Sequence, residues 1–320
     1  MLFQLLTSSV HHLEITVEIS PFRNNDTKKN NIFQSSDATI ALSSYSSELP
    51  HNANWNLVGN PYPCYVNGTA LGFDGIVIIW NQYRQQYEAL NMNDDVYVFT
   101  PFEAFFIQAP VGTTSTTMAA DGRQITRKII EPLNARAEMA ANADRKVINL
   151  TLNNGKDSDR TRVVINPAAK MDYEIGRDAS KMESLNANAS TLFSLQNGVQ
   201  MAINERPLGE GMVSLGLRAA TAGTYTIALA TDPAIDVELI DLQENRTVTL
   251  GTEGYSFQTS AGTVTGRFML RIGKGMVTDV QSVAMPSQQT EQLYDLQGRL
   301  MNNGPQKGIY VKNGKKVVVK

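Results

Sequence analysis

The apolar positions of this chain recur mostly two apart, in short bursts separated by Asn, Ser, Gly and Pro. That period sends side chains alternately to the two faces of an extended strand. The polar breaks are the punctuation of a β protein. In residues 147–152, Ile148, Leu150 and Leu152 share one face while Val147, Asn149 and Thr151 share the other. Residues 153–157 (Asn-Asn-Gly-Lys-Asp) turn the chain and residues 160–165 return it. The same rhythm predicts short strands at 191–195, 200–204, 213–217, 224–230, 255–258 and 267–272, with a hairpin of 237–240 against 246–250. About nine strands at this spacing, with almost no helical period, predict an antiparallel β-sandwich over residues 145–274.

The first part of the chain is more broken. Residues 13–19 alternate as a strand, so the sequence reads as starting inside a domain. Trp55 and Leu57 fall on one strand face, and Gly59-Asn60-Pro61 ends that strand because Pro61 cannot donate to a ladder and steers Asn60 away from helix. Residues 76–80 (Ile-Val-Ile-Ile-Trp) are apolar on both faces, which predicts a strand buried on both sides; residues 102–107 after Pro101 predict another. These make a β-sandwich-like module over 1–132, N-terminally incomplete. Residues 133–144 carry Ala135, Ala137, Ala140, Ala141 and Ala143 and few large apolar groups, and read as a linker. The predicted fold class is therefore all-β: two antiparallel β-sandwich-like modules in tandem, then a closing β-hairpin in residues 275–320.

A hydrophobic fraction of 42% and a charged fraction of 18% over 320 residues exclude a disordered chain. The net charge of −3 gives no basic footprint for nucleic acid. No run approaches the ~20 apolar residues of a membrane span. One cysteine, Cys64, excludes an intramolecular disulfide. Residues 1–6 are too short and lack a basic flank for a secretory signal, so an export signal is expected upstream of Met1.

Candidate chemistry is sparse. The three histidines, His11, His12 and His51, lie in the first 51 residues without metal-ligand spacing, and no phosphate-binding loop is present. No catalytic residue, metal ligand or cofactor is predicted. Acidic groups at Asp94/Asp95, Asp157/Asp159 and Asp172/Glu174/Asp178 read as solvated turn residues, with calcium binding by a hydrolase fragment as the competing reading. Glu205 and Arg206 are expected to pair and pin a loop. Trp55 and Trp80 read as core. Tyr83 and Tyr87 are the candidate exposed ligand-contact aromatics for a carbohydrate- or host-binding adhesin module, the runner-up function.

The end of the chain is the most specific segment. Residues 309–311 and 317–319 are β-branched arms around Asn313-Gly314, the strongest two-residue hairpin signal. Tyr294, Asp295, Gly298 and Arg299 precede Lys307, Gly308, Ile309 and Tyr310, and then Lys315, Lys316 and Lys320. This ordered set resembles the C-terminal (type A) sorting domain of proteins exported by the type IX secretion system of Bacteroidota, in an abbreviated form over 275–320. Residues 50–115 resemble a β module that recurs upstream of such signals. Residues 158–164 (Ser-Asp-Arg-Thr-Arg-Val-Val), 202–208, 223–227 and 267–271 resemble the penultimate module of the same surface proteins. The resemblance implies a non-catalytic, secreted or outer-membrane surface protein. Tyr294, Asp295, Gly298, Arg299, Gly308, Tyr310, Lys315, Lys316 and Lys320 would be read by the secretion machinery, with attachment to surface polysaccharide as a further expectation. An accessory region of a secreted hydrolase is the remaining alternative.

Overall fold

The computed structural model describes residues 36–128 and 144–273, together with the backbone of three short strands in the terminal segment. The chain divides into two compact units, residues 1–273 and 274–320. The described residues are almost entirely strands and turns, and their helical pieces are three single-turn 3-10 segments. No helix among them is long and apolar enough to cross a membrane.

Nine short strands build the described part of the first module: β1 (Ala38–Ala41), β2 (Trp55–Gly59), β3 (Tyr65–Asn67), β4 (Ile76–Asn81), β5 (Gln86–Asn91), β6 (Val98–Phe99), β7 (Ala104–Gln108), β8 (Ser115–Met118) and β9 (Arg123–Gln124). They pair as three small sheets, β1–β8, β2–β7–β4–β5 and β6–β3–β9, around one core. That core includes Val58, Val66, Phe73, Val77, Ile79, Phe99, Phe105 and Ile107. Phe102 departs from expectation. It stands outside β7, 60% exposed, with φ 58. Glu103 N–H donates to Thr100 O at 3.1 Å, so Pro101 and Phe102 are the central residues of a tight turn, where proline presets the first position and the second takes the left-handed region.

The second module holds β10 (Lys146–Asn153), β11 (Ser158–Ile165), β12 (Ala179–Ser180), β13 (Thr191–Gln196), β14 (Val199–Arg206), β15 (Met212–Ala219), β16 (Gly223–Leu229), β17 (Val237–Asp241), β18 (Arg246–Thr249), β19 (Tyr255–Thr259) and β20 (Gly262–Ile272). Where the pattern suggests two antiparallel sheets facing each other, all of these join one sheet in the order β18–β17–β20–β15–β13–β14–β11–β10–β16–β19, with β12 on β14. β11 and β14 pair in parallel, which their long crossover through β12 and β13 permits. The sheet curls so that its inner faces share one core of Ile148, Leu150, Leu215, Tyr225, Ile227, Phe268 and their neighbours. It bends in β20, where the register against β15 shifts between Leu215 and Leu217 and Gly266 takes φ +73. Closure is nearly complete: Leu250 N–H donates to Val237 O at 2.8 Å and Leu229 N–H to Gly251 O at 3.0 Å, so one loop bridges β17 and β16.

The two modules meet through a third apolar cluster. Trp55, Ile76 and Ile78 from the first pack with Ala179, Ala202 and Ile203 from the second, flanked by Tyr87 and Phe106. This accounts for the doubly apolar run 76–80. Val77 and Ile79 enter the first module's core, and Ile76 and Ile78 enter the joint.

In the terminal unit, β21 (Leu293–Tyr294), β22 (Gly308–Lys312) and β23 (Lys315–Val319) form a three-stranded antiparallel sheet. The register runs from Gly308↔Val319 to Lys312↔Lys315, with Tyr294 opposite Val311.

Candidate functional site

Among the described residues, a network of buried ion pairs lies where the two modules join. β11 presents Arg160 and Arg162 two apart, on one strand face. Arg162 donates from both terminal nitrogens to Asp95, at 2.8 and 2.6 Å, and from Nε to Asn149 Oδ1 at 2.7 Å. Arg145, just before β10, holds Asp94 in a second fork at 2.7 and 2.7 Å and reaches Glu205 at 3.0 Å. Arg160 meets Glu88 at 2.7 Å. Forked guanidinium–carboxylate pairs fix orientation as well as charge. Burial works against the charge on Arg145, but its bonds to Asp94 and Glu205 prevail and hold its pKa above the usual arginine value. The acidic pair Asp94/Asp95, expected as solvated turn residues, is thus the first module's half of an ionic joint.

Neutral contacts reinforce it. Gln86 Nε2 donates to Ser190 O at 2.8 Å, and Ser184 Oγ to Gln85 O at 2.5 Å. Tyr173 O–H donates to Gln108 Oε1 at 2.6 Å, and burial raises that phenol's pKa.

Beside the ionic pairs a polar cleft of about 810 Å³ opens between the modules. Its floor is the Arg145–Asp94–Glu205 and Arg162–Asp95 network; its rim carries Asp74 and Asn93 on one side and Thr231 and Asp232 on the other. Arg177 stands at the edge, 3.3 Å from Glu205. Behind it Asp178, 1% exposed, accepts the N–H groups of Glu174 and Glu205, each at 2.8 Å. Burial, and then the carboxylates of Glu205 and Glu174, push its pKa up to about 7.

Glu205 and Arg206 do not pair. Adjacent strand residues point to opposite faces, and Glu205 binds Arg145, Arg177 and Asn166 instead. Of the other acids, Asp159 pairs with Lys181 at 2.6 Å and Asp157 accepts Gln86 Nε2. Among the described residues no three His, Cys, Asp or Glu side chains gather as a metal site. Cys64 is half-buried, and burial raises its thiol pKa.

The candidate aromatics separate. Tyr83 is 98% exposed on the β4–β5 turn. Tyr87 is half-buried with its ring edge-on to Trp80 at 5.0 Å and to Phe106 at 6.0 Å, so it serves packing and not an open platform. Trp55 is buried, with Nε1 donating to His51 O at 2.9 Å. Of the terminal residues, Tyr294 lies in β21, Gly308 and Tyr310 in β22, and Lys315 and Lys316 in β23. Asp295, Gly298, Arg299 and Lys320 lie outside the described residues, as do residues 133–143 of the Ala-rich stretch, the expected strand at 13–19, His11 and His12.

The sequence reading missed Arg145, Arg162 and Asn60. Arg160 and Arg162 carried a signal: two cations on one face of a strand otherwise rich in apolar residues need acids opposite them. Asn60, 2% exposed, donates to Cys64 O at 2.9 Å and Thr100 O at 2.8 Å, tying the exit of β2 to the loop after β6.

Residues 127–272 match the model of a domain of unknown function, DUF8693. That span takes in the whole curled sheet of the second module. No curated protein and no solved structure matches this chain.

Proposed function

We propose that this chain is a non-catalytic β scaffold from a bacterial surface protein, two β modules in tandem followed by a closing hairpin that acts as a type IX export label. One observation carries the reading. Residues 274–320 form a compact unit of their own, and its paired strands hold the Gly-Ile-Tyr and Lys-Lys-Val-Val-Val runs of the sorting-signal resemblance. A short sheet with an open edge and a dense run of lysines suits capture by strand addition and charge. The scaffold role is supported by the joint, where the acids and bases of the floor are committed to one another.

Export tests the label directly. The full-length protein, expressed in a bacterium that owns the type IX machinery, should reach the surface. Removal of residues 308–320 should leave it in the periplasm. Undiminished surface display of the truncated chain would refute the proposal.

A further inference from the structure

The cleft between the modules is independent of the export reading, which concerns the closing unit. Its floor is already neutralised: the forks of Arg145 and Arg162 are occupied by Asp94 and Asp95. An incoming ligand therefore meets a rigid, hydrogen-bonding surface and not an empty charge trap. Five acids (Asp74, Asp94, Asp95, Asp232 and Glu205) stand against four bases (Arg145, Lys146, Arg162 and Arg177), with four asparagines among them and no aromatic ring in the lining. The volume, about 810 Å³, falls within the range of small-molecule clefts.

This lining selects by chemistry. An apolar ligand would strand carboxylates and amides without water, at a cost that excludes it. A polyanion would face five carboxylates, and a polycation four cationic groups. A neutral ligand dense in hydroxyls meets neither conflict, because each hydroxyl both donates and accepts. Asn93 keeps its amide oxygen available while its Nδ2 donates to Asp74 at 2.5 Å. Asp232 and Thr231 are exposed on the opposite rim. Arg177 spends one terminal nitrogen on Glu205, and its side chain is 41% exposed. We infer that the cleft binds a neutral oligosaccharide, held between Asn93 on the first module and Arg177 and Asp232 on the second. The site is separate from Tyr83 and Tyr87, neither of which lines it.

The full chain is titrated calorimetrically with maltohexaose, cellohexaose, laminarihexaose and mannohexaose. At least one should give saturable binding, weakened about tenfold or more by Asn93→Ala and by Asp232→Ala, and unchanged by Tyr83→Ala. Thermal melts confirm that each variant is folded. Absence of saturable binding with all four sugars overturns the inference. So does binding that survives both rim substitutions or is lost in Tyr83→Ala. Absent binding with normal export would defeat this inference alone, and failed export with intact binding would defeat only the reading of the closing unit.

Discussion

The two modules of residues 36–273 solve the same problem differently. The second gathers eleven strands into one curled sheet whose inner faces supply its own core. The first divides its strands among three small sheets, and the outer face of its largest sheet is apolar, with Trp55, Ile76, Ile78 and Phe106 covered by the second module. Burying each such side chain is worth about 1.5–3 kcal/mol. Self-sufficiency is therefore unequal: the first module brings Trp55, Ile76 and Ile78 to the joint, and the second brings Ile203 with two alanines (Ala179, Ala202).

Separating the modules should have the largest effect. Residues 127–273 alone should melt cooperatively by circular dichroism, whereas residues 36–128 alone should show no cooperative transition. A cooperative melt of the shorter piece would break the comparison. Within the second module, Phe268→Ala empties a site of 0% exposure and should cost about 3–5 kcal/mol in urea denaturation.

At the joint, Arg162→Ala strands the Asp95 carboxylate. The two side chains are 8% and 15% exposed, so the loss should approach that of a broken buried pair, about 3 kcal/mol. By contrast, Arg84→Ala removes a pair with an arginine 39% exposed and should cost under about 1 kcal/mol. Equal losses would show that the joint contributes no more than surface charge.

Asp178 gives the joint a pH signature. Its native pKa of about 7 lies above the ordinary 3.8, so the native state holds the extra proton between those values. Its contribution to stability therefore falls as pH rises through that window, and the cost of the buried charge is fully present above it. Relative to Asp178→Asn, the parent protein should gain stability as pH falls from 7 toward 3.8, measured by urea titration at successive pH values. The smallest effect belongs to Phe102→Gly. Relieving a left-handed backbone at an exposed phenylalanine should raise stability by about 0.5–1 kcal/mol, read from the same unfolding curves.

Strands were legible wherever period 2 stood alone, as in β10, where Ile148, Leu150 and Leu152 are buried as expected. What period cannot carry is which strands meet. Alternation is the same for a sandwich and for a sheet curled on itself, and the parallel pairing of β11 with β14 leaves no local trace. The run 76–80 announced burial on both faces without revealing that one cover is a separate module. Phe102 was misplaced because its aromatic character fits a strand, while Pro101 dictates a turn. The cleft was illegible for a similar reason: Asn93, Arg177 and Asp232 come from three distant loops, and each alone looks like ordinary surface.

One detail of the joint bears on how closely its two sides can approach. Gly75 has φ +150, and a methyl group placed on it would lie 3.2 Å from the Cα of Gly176, itself at φ +93. Main chain thus passes main chain with almost nothing between. A side chain at Gly75 would have to push the facing backbone aside by a few tenths of an ångström, so this bare crossing sets how closely the two loops seat.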